Sequence, residues 1–94
     1  MTDEPGAQTL SATAFLNALS WTTDWLLRRV PEATVNEETR YYEEHLIDSF
    51  MAVELVGDAE EQFSIAFQNA DFASDEFQSV GGFARLIARH SEAA

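Results

Sequence analysis

Three residues with the makings of chemistry fall close together: His45, Asp48 and Ser49. They are the residue types of a hydrolytic triad, a hydroxyl nucleophile with an imidazole base and an orienting carboxylate. Their spacing argues against that use. An amphipathic helix is expected to start at Ser49, which leaves His45 in the preceding loop with nothing to fix its ring on the Ser49 hydroxyl. No glycine-rich elbow or oxyanion loop surrounds the serine. A metal site fares no better. The two histidines, His45 and His90, belong to different elements, the carboxylates are scattered, and no Asp-rich loop has calcium-ligand spacing. No glycine loop cradles a phosphate. Two readings of Asp48 and Ser49 remain. In the plain one, Asp48 caps a helix and Ser49 is an ordinary first-turn residue. In the other, Ser49 is a covalent attachment point. A helix start offers unpaired N–H groups and the positive end of the dipole, which favour a phosphate attached there. Such a hydroxyl needs no base of its own, because a separate transferase would activate it.

The elements that must hold this serine follow from hydrophobic periodicity. Residues 1–9 carry two acids and a Pro-Gly signal and read as a disordered tail. Residues 10–30 read as the first helix, with Ser11 as a possible N-cap. Phe15, Leu16, Leu19, Leu26, Leu27 and Val30 make its apolar stripe, and Pro31 stops it. Trp21 and Trp25 fall off that stripe, either covering the edge of the bundle or forming a docking patch. Residues 31–48 read as a long ordered loop, anchored by Val35, Tyr41, Tyr42, Leu46 and Ile47. Residues 49–63 read as the second helix. Its core arc is Ala52, Val53, Leu55, Val56, Ala59 and Phe63, and Glu54, Asp58 and Glu61 lie opposite. Phe50 and Met51 fall near the acidic side; Phe50 can tuck under the loop, so Met51 is the better candidate for exposure. Residues 64–78 link onward through Ile65, Phe67, Phe72 and Phe77, with one short helical turn from Ser74 or Asp75. Residues 79–90 read as the last helix, capped by Ser79, with Gly81 and Gly82 allowing close approach and residues 91–94 frayed. The expected fold is all-α: three main helices plus one short one, forming a single domain over residues 10–90.

Composition narrows the partners. The chain of 94 residues carries 17 acids against five arginines and no lysine, a net charge of −12. Such a field repels nucleic acid and anionic membranes and attracts basic protein surfaces. No apolar run is long enough to span a bilayer, and no secretory leader pattern opens the chain, so a cytoplasmic monomer is expected. With no cysteine, disulfides and thiolate sites are excluded.

The chain resembles an acyl or peptidyl carrier protein over about residues 10–90. The likeness centres on LIDSF followed by MAVELVGDAEEQF: an Asp-Ser pair, a bulky apolar residue, then an acidic helix ending in Phe. VNEETRYYEEHLIDS resembles the loop of stand-alone carriers, and the spacing from Val35 to Ser49 matches without a gap. The departure is His45, where these carriers usually have glycine. The resemblance implies that Ser49 receives 4′-phosphopantetheine from coenzyme A and that the arm's thiol carries an acyl or aminoacyl thioester. Asp48 would belong to the transferase's recognition motif. Phe50, Met51, Glu54, Gly57, Asp58, Glu60 and Glu61 would lie on the docking helix, while Val53, Val56 and Phe63 would be core. Implied partners are a phosphopantetheinyl transferase, an acyl-activating ligase or adenylation enzyme, and downstream synthases, transferases or tailoring enzymes. The setting would be fatty-acyl, polyketide or nonribosomal peptide biosynthesis, and the chain would be no enzyme itself. The competing reading is an acidic helical interaction module, an inhibitor or adaptor that uses Trp21, Trp25 and the acidic helix without a prosthetic group.

Overall fold

The computed structural model describes the backbone of residues 3–93 and the side chains of residues 12–91. Four α-helices follow one another: α1 (Asp3–Arg29), α2 (Ser49–Phe63), α3 (Asn69–Ala73) and α4 (Val80–Ala93), with a 3₁₀ turn (Asp75–Gln78) between the last two. No strand occurs among the described residues, so the all-α expectation holds. Among them, too, no helix is long and apolar enough to cross a membrane.

The first helix begins at Asp3, earlier than the expected residue 10. Pro5 then falls in its first turn, where a backbone N–H has no intrahelical partner to lose. Ser11 lies inside the helix rather than at its cap; the side chains of the expected tail lie outside the described residues. Pro31 ends α1 as expected, while α4 continues past the expected end at residue 90.

The core joins α1 and α4, the most closely packed helices, to the long loop and to one side of α2. On α1 the buried line runs through Ala18, Thr22, Trp25 and Leu26. It is rotated from the expected stripe by roughly a quarter turn, towards the tryptophans. Leu16 consequently faces solvent at 58% exposure, against expectation. Trp25 is core, with 2% of its surface exposed. Thr22 is buried without an orphan hydroxyl, because its Oγ1 donates to the Ala18 carbonyl at 2.8 Å.

The two glycines of α4 do allow close approach. A Cβ on Gly82 would stand 2.1 Å from the Glu76 carbonyl oxygen, and one on Gly81 would stand 2.5 Å from Glu37 Cγ. That proximity lets the helix start bond to the long loop: Val80 N–H donates to the Thr39 carbonyl at 2.9 Å and Gly81 N–H to that of Glu37 at 2.8 Å. Ser79 caps α4 through Gly82 N–H at 3.1 Å. Tyr41, fully buried, donates its hydroxyl to the Phe77 carbonyl. The loop is therefore ordered by backbone ladder and buried anchors, as the spacing of its apolar residues predicts.

Candidate functional site

Ser49 is the first residue of α2 and is exposed. Asp48 precedes it in extended conformation and caps the helix: its Oδ1 accepts Met51 N–H at 2.9 Å, and its carbonyl accepts Ala52 N–H at 2.9 Å. Among the described residues, the N–H groups of Ser49 and Phe50 meet no hydrogen-bond acceptor. Two amides at the positive end of a helix of 15 residues thus stand free beside the serine hydroxyl, where a phosphodiester would use them.

The approach to Ser49 is fixed by a tight backbone turn. Leu46 N–H donates to the Tyr41 carbonyl at 2.9 Å and His45 N–H to that of Tyr42 at 3.1 Å. This pair of bonds needs a left-handed residue at position 45, and His45 supplies it at φ 60°. The loop keeps a glycine-type conformation although the residue is histidine. No hydrogen bond joins His45 to Asp48 or Ser49 among the described residues.

An open apolar groove of about 390 Å³ begins at Ser49. Ala52, Val53 and Val56 line it from α2, Tyr42 from the loop, Phe72 from α3 and Phe77 from the 3₁₀ turn. Two of these residues correct the sequence reading. Val53, expected in the core, is 71% exposed, and Phe72, expected as a core anchor, forms an accessible wall. The groove itself was not legible in the sequence, because its aromatic walls come from segments far apart in the chain.

The expected docking residues divide. Phe50, not Met51, is the exposed apolar residue at 73%; Met51 is half-buried against the core. The buried line of α2 runs through Ala52, Leu55 and Ala59 and is turned towards Met51, which carries Phe50 and Val53 outward. Glu54, Gly57 and Glu61 are exposed on α2. Asp58 is engaged internally: its Oδ2 accepts the Trp25 indole N–H at 2.8 Å and lies 3.7 Å from the Arg29 guanidinium. Arg29 in turn sits 3.6 Å above the Trp25 ring. Glu60 also serves the fold, accepting Phe67 N–H at 2.8 Å. Trp21 packs its ring edge on Phe63, with centroids 5.6 Å apart. The two indoles close the seam between α1 and α2.

A family model described as "Phosphopantetheine attachment site" matches residues 26–87, about two thirds of the chain, and this span contains Asp48, Ser49 and all of α2 but not Trp21 or Trp25. No curated protein and no solved structure matches the chain. The exposed serine, its free helix-end amides and the adjoining apolar groove fit a phosphate-linked arm. The chain belongs to the phosphopantetheine-attachment family, whose domains carry 4′-phosphopantetheine as a covalently bound prosthetic group and interact with enzymes such as transferases and synthases.

Proposed function

We propose that Ser49 is the attachment point and that the protein carries an acyl group from enzyme to enzyme, itself a substrate rather than a catalyst. The observation that carries this reading is the serine at the N-terminus of α2, exposed, beside two free amides and next to Asp48 at the cap. In loading, Ser49 Oγ forms a bond to the β-phosphorus of coenzyme A and the bond to adenosine 3′,5′-bisphosphate breaks. The serine proton passes to a base of the transferase. The arm supplies a flexible reach and a thiol on which cargo is held as a thioester.

The apolar groove at Ser49 favours an acyl cargo with an apolar chain, of the fatty-acyl or polyketide kind, over a polar aminoacyl one. Partner docking falls to Phe50, Val53, Glu54, Gly57 and Glu61, an apolar step flanked by carboxylates that suits a basic, partly apolar surface. Asp58 and Glu60 contribute through the fold. Trp25 is buried and Trp21 half-buried, so the indoles offer the competing interaction-module reading less apolar surface than it needs, while the acids of α2 serve either reading.

Intact-mass spectrometry after incubation with coenzyme A and a broad-specificity transferase tests the proposal. One phosphopantetheine should add to the wild type and none to Ser49→Ala. Failure of the wild type to load with several transferases sinks the attachment reading. In the same assay at low salt, a Glu54→Lys, Glu61→Lys double variant should load at least about tenfold more slowly; an unchanged rate removes these acids from docking.

A further inference from the structure

His90 has no role in attachment or docking, yet it is tied into the one element that holds the groove without a core of its own. The helix α3 has five residues and buries none of them. A helix that short does not stabilise itself in water. Its place is therefore set by what holds it. The hydrogen bond from Gln68 N–H to Asp71 Oδ2, at 2.7 Å, is local and fixes the turn but not its position. Phe72 packs on Phe67 and Phe77, and the polar connection to the rest of the fold is His90 on α4, whose Nε2 lies 2.7 Å from the same Asp71 Oδ2. Both side chains are mostly shielded from solvent. The His90 ring also stands edge-on to Phe67 at 5.7 Å, and Phe67 stacks on Phe83 of α4 at 5.4 Å. Phe72, the residue next to Asp71, packs on Phe77 at 5.3 Å and with it forms a wall of the groove. Asp71, bonded to His90, and Phe72, a wall of the groove, are thus neighbours on one short helix.

We infer that the hydrogen bond between His90 and Asp71 is a latch that positions α3 and thereby fixes the groove that receives the apolar part of the cargo. The inference deepens the carrier reading and rests on it for the identity of the occupant. His90 is a positioning residue: it acts on the cargo through Asp71 and Phe72. Burial alone would push the Asp71 carboxyl up, but the Gln68 N–H and His90 outweigh that and hold it below the usual carboxylate range, which keeps it an anionic acceptor.

Amide hydrogen exchange, followed by NMR on the unmodified protein, tests the latch without any loading step. In His90→Ala, the amides of Asp71 and Ser74 should exchange about tenfold faster, while those of Ala52 and Leu55 in α2 change less than about twofold. His90→Gln, which keeps a donor for Asp71, should restore most of the protection. Should His90→Ala not fold, Asp71→Asn serves in its place with the same expectation for Ser74. Unchanged exchange in α3, or an equal rise in α2, overturns the latch. A second arm uses protein loaded on Ser49 with a medium-length alkyl amide. The alkyl chain should raise the thermal midpoint of the wild type over that of the unacylated arm, and at least half of that gain should vanish in His90→Ala. An undiminished gain also counts against the latch. A wild type that does not load speaks against Ser49 as the attachment point, and the latch is then judged by exchange alone.

Discussion

His45 is an L-residue held where the chain turns left-handed, at φ 60°. The side chain crowds the following carbonyl there, at a cost of roughly 1–2 kcal/mol, part of which glycine would return as greater freedom in the unfolded chain. His45→Gly is therefore expected to stabilise the protein by about 0.5–1 kcal/mol in urea denaturation, with loading at Ser49 unchanged. A loss of stability would mean that the imidazole makes compensating contacts. The match of the turn's spacing to the expected carrier loop is what made the position stand out in the sequence. Ser64 holds the same conformation after α2, at φ 56°, and nothing in the sequence marked it. Asp48 and Ser49 were legible because a cap and a first-turn hydroxyl are local chemistry. The exchange of roles between Phe50 and Met51 was not, because periodicity gives the angle between residues but not the direction in which a helix meets its neighbours.

Among the elements, α4 depends on two positions without side chains. Its first turn lies against Glu37 and Glu76 so closely that a methyl group on Gly82 would collide with the Glu76 backbone. Gly82→Ala should therefore destabilise the protein by about 2–3 kcal/mol or more, although alanine is the better helix former by up to about 1 kcal/mol. Thermal or urea unfolding measures it; a neutral or stabilising effect would show that the 3₁₀ turn yields at little cost. The glycine pair and its purpose were readable from the sequence, since two glycines in a helix with a good cap call for a steric reason. The four-element order was readable from apolar periodicity and Pro31. The segment from 64 to 78 was legible in part: the short turn expected from Ser74 or Asp75 is the 3₁₀ turn, while α3 before it was missed. Five residues carry too little periodicity to announce a helix, and the local bond from Gln68 to Asp71 that starts it is a weak signal by itself. Leu16, Val53 and Phe72 were misplaced for one common reason. Each is apolar in a plausible register, and tertiary packing chose a neighbouring line.

Over the whole molecule, charge is distributed with a clear asymmetry. Arg29, Arg40, Arg85 and Arg89 are each within ion-pair distance of at least one carboxylate, so most of the scarce positive charge is used inside the fold. The acids of α2 at Glu54 and Glu61 remain open to a partner's cations. Glu76 is the centre of one such cluster, 2.8 Å from Arg89 and 3.3 Å from Arg85. The hydrogen bond from Arg89, with Arg85 adding to it, holds its carboxyl below the ordinary glutamate range. A carboxyl depressed in the folded state adds stability above its unfolded pKa, near 4.3, and that contribution disappears as pH falls through the folded value. Stability should accordingly drop as the pH goes below about 4, and Glu76→Gln should flatten that acid limb in thermal unfolding measured across pH. An acid limb of the same steepness in the variant would assign the loss to other carboxylates. The seam between α1 and α2 has an optical consequence. The protein has two tryptophans, and both lie on that seam, Trp21 against Phe63 and Trp25 bonded to Asp58. Its ultraviolet emission therefore comes from one place, directly behind the helix that presents Ser49. Any partner that tilts α2 on docking would change that emission, so the carrier brings its own unlabelled reporter of handover.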